Sequence, residues 1–229
     1  MTDRAPTIRP RPAADCPGER LRAQGACALS DAELLALLMR GASSGAGAME
    51  LARRALDELG GLAGVLYAPR AQFESVAGLG RARFAQVQAV LEIVKRVLRQ
   101  PLQRGPVLDA PTRVRDYLRL SQGRTPHEIF TVLFLDAQHK LIASEEMFRG
   151  TLTQTSVYPR EVVRRALLRN CAAVILSHNH PSGIAEPSRA DQVLTRELQA
   201  ALRLVDVQVL DHIIVAADAS VSFAERGLL

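Results

Sequence analysis

A chain of 229 residues, 48% apolar and 23% charged, has the composition of a globular protein with enough length for one large core or two small ones. No run approaches the roughly eighteen apolar residues of a membrane-spanning helix, and the N-terminus has no continuous apolar segment, so a membrane protein is excluded and a cytoplasmic one expected. Three cysteines (Cys16, Cys27 and Cys171), with no CxxC among them, argue against a disulfide framework and against a thiolate zinc site. The formal charge of +5 is uneven: residues 1–105 carry 15 Lys and Arg against 10 Asp and Glu, while residues 106–229 carry 14 against 14. Any nucleic-acid contact is therefore expected in the N-terminal half, although an excess of that size also serves simply to keep a surface solvated.

In chain order, the Pro- and Arg-rich residues 1–14 read as a flexible lead-in. Ser30 and Glu33 have the spacing of a capping box at the head of an apolar-periodic stretch, which predicts a helix to Met39, stopped by a Gly/Ser/Ala loop at 41–47. A second helix is expected from about Ala48 to Leu59, ended by Gly60-Gly61. Phe73 to Val87 then reads as a short helix, a Gly78-Leu79-Gly80 turn, and a second helix to about Leu98, a helix-hairpin-helix pattern. Its glycines permit close backbone approach, its helix N-terminus favours phosphate oxygens, and Arg81 and Arg83 add charge, which together suggest DNA. The alternative is a turn that only packs against its neighbours. Pro101 to Pro106 is expected to break the helix and form a linker, giving a helical domain at 15–103 and a second domain at 107–229.

The second half switches to mixed α/β, with no internal repeat. A helix is expected from Thr112, as N-cap, to Leu120, then a strand at Ile129–Leu135, a turn at Asp136–Gln138, and a returning strand from Lys140 to Phe148. A helix opens at Tyr158-Pro159 and runs through Arg169, with proline suited to the first turn. A buried strand at 172–176 follows, then a helix from Ala190 to Leu204 and two short strands, Val205–Leu210 and Ile213–Val215.

The chemistry concentrates just after the strand at 172–176, in Ser177-His178-Asn179-His180-Pro181-Ser182-Gly183. If extended geometry persists, His178 and His180 point the same way, and Asp191 stands eleven residues beyond His180 across a loop shaped by Pro181, Gly183 and Pro187. Two imidazoles and a carboxylate make a three-ligand metal site with a position left open. The competing role for Asp191 is a first-turn acid favoured by the helix dipole, with Ser188 as N-cap.

His178-x-His180-Pro181 followed by Ser188-x-x-Asp191 resembles the JAMM motif of the JAB/MPN metalloprotease-like domain. The wording His-Asn-His-Pro-Ser-Gly and Pro-Ser-Arg-Ala-Asp resembles the bacterial RadC-like family (UPF0758), long labelled DNA repair proteins, and the N-terminal stretches resemble the same family's helical leader. The resemblance implies an α/β (α+β) chain in which the helix-hairpin-helix-like domain precedes a cytidine-deaminase-like mixed sheet flanked by helices. It implies Zn2+ held by His178, His180 and Asp191 with a water at the fourth position, Glu128 as general base and acid, and Ser188 as an oxyanion contact or a helix cap. Glu145 and Glu146 rival Glu128. Asn179 stands where many JAMM peptidases have serine, and His212 is expected to be a local structural histidine rather than a support for a ligand; His127 and His139 have no assigned role. The implied activity is hydrolysis of a peptide or isopeptide bond, with DNA contact through Gly78, Gly80, Arg81 and Arg83 as partner or localiser; the competing reading is a DNA repair or nucleic-acid-processing factor whose metal site is not a peptidase.

Overall fold

The computed structural model describes residues 16–39, 45–150 and 157–229. The expected lead-in at 1–14 and most of the loop at 41–47 lie outside them. By packing, the chain divides into residues 1–92 and 93–229.

The first unit is helical: α1 (Pro17–Gln24), α2 (Asp31–Leu38), α3 (Gly45–Leu59), α4 (Gly61–Tyr67), α5 (Arg70–Ser75) and the start of α6 (Arg81–Arg104). The capping box at α2 forms as its spacing requires, with Ser30 N donating to Glu33 Oε2 at 2.9 Å and Glu33 N to Ser30 Oγ at 3.4 Å. Helix α3 buries Ala48, Leu51, Ala52, Ala55 and Leu59, one stripe at helical spacing, against Leu35, Met39, Phe73, Val76 and Leu79. It begins at Gly45, inside the expected loop.

The α5–turn–α6 hairpin is present, but its two glycines are not equivalent. Gly78 has φ +93°, and a Cβ there would lie 3.0 Å from Leu51 Cδ1; Gly80 has ordinary φ and open space. Gly78→Ala is therefore expected to destabilise by about 1–2 kcal/mol in urea unfolding, whereas Gly80→Ala should stay within about 0.5 kcal/mol. Equal losses at both positions would contradict this. Arg83 Nη1 donates to Gly78 O at 2.8 Å, so that guanidinium braces the turn.

The predicted break at Pro101 does not occur. Helix α6 carries Pro101 inside it and continues to Arg104. Proline's fixed φ suits a helix, but it removes one hydrogen bond and its ring crowds the carbonyl four residues earlier; the burial of Leu102, which is 1% exposed against Leu98 and Val107, holds the final turn in place. The packing division at 92/93 thus falls within α6 rather than at the expected linker.

The second unit is a five-stranded mixed sheet in the order β2-β1-β3-β4-β5, formed by β1 (Ile129–Leu135), β2 (Leu141–Arg149), β3 (Ala173–Asn179), β4 (Gln208–Val215) and β5 (Ser220–Ser222). Strands β1–β2, β1–β3 and β4–β5 are antiparallel and β3–β4 parallel. Helix α7 (Pro111–Gln122) belongs to one face, with Val114 and Leu118 in a core with Leu133, Ile175 and Ile213. Helices α8 (Pro159–Arg169) and α9 (Arg189–Arg203) cover the other, where Val162, Ala166, Leu198 and Leu202 meet Val132, Phe134, Val174 and Leu176. Helix α7 starts one residue before the expected cap, with Ala110 as N-cap and Pro111 in the first turn.

The two strands expected at 205–210 and 213–215 are one strand. Asp211, which reads as an interruption, is accommodated because its carboxylate accepts from Ser222 Oγ (2.6 Å), Ala224 N (3.0 Å) and His212 N (2.7 Å). Within β4 the register against β3 slips by one residue, from Val174–Val209 to Ile175–Asp211, leaving Leu210 extra. Such a bulge exchanges the faces of every residue after it. No described helix is long and apolar enough to cross a membrane.

Candidate metal centre

Strand β3 is apolar to Leu176 and polar from Ser177, where the chain reaches the end of the sheet. Alternation sends Val174, Leu176 and His178 to the α8–α9 face, and Ile175, Ser177 and Asn179 to the α7 face. His180 still donates its amide to Val215 O at 2.9 Å, so extended pairing outlasts the strand and both histidines share a face.

Asp191 is brought to them by the start of α9. Ser188 N and Oγ donate to Asp191 Oδ2 at 2.7 and 2.6 Å, and Asp191 N donates to Ser188 Oγ at 3.1 Å. The expected cap is thus present, and it also aims the carboxylate: the two readings of Asp191 hold together. His178 Nε2 lies 3.3 Å from Asp191 Oδ1, His180 Nε2 lies 3.7 Å from Oδ2, and the two Nε2 atoms are 3.0 Å apart. No other group of His, Cys, Asp or Glu among the described residues gathers three ligand atoms this closely.

The donor set fits a metal ion. Two ligand atoms each about 2.05 Å from a tetrahedral zinc would stand roughly 3.3 Å apart, within the observed range of spacings. His180 Nδ1 lies 2.8 Å from the Ile184 carbonyl, which can only accept, so the neutral ring's Nε2 is bare. Burial alone would raise the Asp191 carboxyl, but the neighbouring His178 and the Ser188 hydroxyl and amide hold it far below the usual carboxylate range. The His178 side chain is 1% exposed, Asp191 13% and His180 21%, so the centre is closed behind His178 and open beside His180.

Glu128 immediately precedes β1. Phe130 pairs with His178, and Glu128 lies two residues before Phe130, towards the end of β3 that leads into His180. Its carboxylate makes no hydrogen bond or ion pair with any described residue. The rivals are engaged elsewhere: Glu145 holds Arg165 and Arg169, Glu146 holds Arg149, and both lie on β2, which borders β1 rather than β3. The single proton of Ser188 is committed to Asp191 Oδ2, so of its two expected roles the cap is the one seen.

A RadC-like JAB domain model matches residues 108–228, and a UPF0758 N-terminal model matches residues 8–85. A UPF0758 protein of Leptothrix cholodnii is 59% identical over 218 residues, covering 95% of this chain and 98% of that protein. UPF0758 protein Mpe_A2695 of Methylibium petroleiphilum is 59% identical over 229 residues, covering all of both chains. The chain belongs to the RadC-like JAB family. The JAB domain is a metal-binding fold, and the His-His-Asp group lies within the part matched to it.

Two further residues support this RadC-like JAB domain's candidate centre. Asn179, on the face opposite the histidines, accepts from Ile129 N at 2.7 Å and donates to Thr125 Oγ1 at 2.9 Å and His127 O at 3.1 Å. It clamps the segment that carries Glu128. Asn179→Ala leaves a buried N–H and carbonyl unpaired, an expected loss of about 2–4 kcal/mol in urea unfolding; a loss below half that would show the clamp to be dispensable. His212 is wholly buried, 2.8 Å from His178 Nδ1 and 2.6 Å from Thr195 Oγ1, so the expectation of a merely local histidine is corrected. Burial holds its protonation well below the usual histidine range. The signal that places it is the bulge at Leu210, which one sequence does not display.

Proposed function

We propose that the chain is a JAMM-type metallohydrolase that cleaves a peptide or isopeptide bond. The observation that carries this reading is the convergence of two imidazoles and a carboxylate on an open edge; Glu128, which pairs with no described residue, stands just before the neighbouring strand β1. His178, His180 and Asp191 would hold the metal, and two imidazoles with one carboxylate are a ligand set that zinc takes in catalytic sites. Zinc, when bound, supplies Lewis acidity that brings the pKa of water towards about 7 and polarises a carbonyl.

The chain's own residues do the rest. His180, at the exposed side, leaves the approach open to an extended substrate. Glu128 takes a proton from the attacking water at a carboxylate oxygen and returns it to the leaving nitrogen. Ser188 keeps Asp191 oriented; contact with a developing oxyanion is assigned to it by the family resemblance and requires its hydroxyl to release Oδ2. The test is a panel of fluorogenic peptides and isopeptide-linked substrates with zinc-loaded and chelated protein. Cleavage that follows zinc supports the reading, and cleavage of nucleic acid alone would replace it.

A second reading concerns the helical unit. The observed α5–turn–α6 hairpin, with the left-handed Gly78 and exposed Arg81 at the head of α6, supports DNA contact that would localise the hydrolase. The full chain is expected to bind duplex DNA more weakly as salt rises, with a shallower salt slope for Arg81→Ala. No retention at low salt would remove this reading.

A further inference from the structure

Behind His178 runs a hydrogen-bonded chain that begins on one candidate ligand and ends on another. His178 Nδ1 is 2.8 Å from His212 Nε2, His212 Nδ1 is 2.6 Å from Thr195 Oγ1, and Thr195 Oγ1 is 2.6 Å from the carbonyl oxygen of Asp191. The far end fixes the direction of every bond. A carbonyl only accepts, so the one hydroxyl proton of Thr195 goes to Asp191 O. Thr195 Oγ1 must then accept from His212, whose Nδ1 therefore carries a proton. His212 is 0% exposed, its ring lies near those of Phe130 and Phe223, and no carboxylate of a described residue bonds to it. A second ring proton would leave a buried charge without a counterion. Its Nε2 is therefore bare and accepts Nδ1–H of His178, which leaves His178 Nε2 with its lone pair turned to His180 and Asp191.

We infer that Thr195 and His212 are positioning residues that lock His178 in the one tautomer able to ligate a metal. The inference rests on the metal-centre reading. It also gives the two histidines separate controls: His180 is set by Ile184 O in its own loop, His178 by a threonine on another element. The same chain ties β3 to α9, so the distance between ligands from the two elements depends on it.

Thr195→Val keeps the volume and removes the acceptor. His212 Nδ1–H then faces a methyl group, and moving the proton to Nε2 is the cheaper arrangement. His212 then donates to His178 Nδ1, and the proton of His178 moves to Nε2, where it must be displaced before a metal binds. Thr195→Ser keeps the hydroxyl and removes a methyl. A role in packing alone would make valine harmless and serine costly; the hydrogen-bonded chain requires the opposite order.

The experiment combines ring 15N spectra of the histidines in metal-free full-length protein with Zn2+ titration against a chromophoric chelator. Expected are Nδ1–H at His178 in the wild type, a loss of Zn2+ affinity of about 10- to 100-fold in Thr195→Val, and wild-type affinity in Thr195→Ser. Wild-type affinity in Thr195→Val, or Nε2–H at His178 in the metal-free wild type, would overturn the inference. If Thr195→Val does not fold, the wild-type spectrum decides alone. If the wild type binds no Zn2+, the metal-centre reading fails, and the spectrum still decides the tautomer.

Discussion

Glu128→Gln is expected to retain one zinc per chain and to lose hydrolysis by about 10²- to 10⁴-fold, the usual contribution of a positioned general base. Glutamine keeps the shape of glutamate but cannot take a proton. Glu128 is suited to the role by position and by freedom: it lies two residues before Phe130, the partner of His178 in the β1–β3 register, and no described partner occupies its carboxylate. Glu145 and Glu146 supply the controls. Both are bound in ion pairs on the outer strand, so their glutamine variants should turn over substrate at the wild-type rate. Unchanged turnover in Glu128→Gln, measured on the substrate that the wild type cleaves, would sink the assignment. Zinc content measured on the same samples separates loss of the base from loss of the site.

His178→Ala should abolish zinc binding. The His178 side chain is 1% exposed and stands between His180, Asp191 and His212, so its removal takes away the innermost donor and leaves two ligands on an open edge. Elemental analysis should find about one zinc per wild-type chain and almost none in the variant. Linkage gives a second readout. Free zinc at a hundred times Kd stabilises a folded chain by about 2.7 kcal/mol, so chelation should lower the wild-type melting temperature and leave His178→Ala unmoved. Glu128→Gln should show the full zinc-dependent shift. A variant at His178 that still carries zinc at wild-type affinity would place the metal elsewhere.

Much of this was legible in the residues because it depends on local chemistry. The S-x-x-E box at Ser30 and Glu33 and the S-x-x-D box at Ser188 and Asp191 each specify a helix start within four residues, and both formed as spaced. The apolar runs of β1 and β3 are too β-branched and too short for helices. The His-x-His spacing sets its own geometry wherever the backbone remains extended. The misreadings came where local signals met long-range ones. Pro101 is a helix breaker by chemistry, yet the helix continues through it, with Leu102 buried in the final turn. Asp211 looked like the end of a strand until Ser222 and Ala224, from a later segment, satisfied its carboxylate.

The sequence by itself therefore determined the candidate ligands: two histidines with period-two spacing and an aspartate in a capping box, each fixed by neighbours within a few residues. Only the tertiary structure decided what stands behind and beside them. Asn179 reaches the Glu128 segment because β1 and β3 are antiparallel neighbours, and His212 meets His178 because one extra residue at Leu210 turns the end of β4 over. Both depend on register between strands far apart in sequence, and a shift of one residue sends every later side chain to the opposite face.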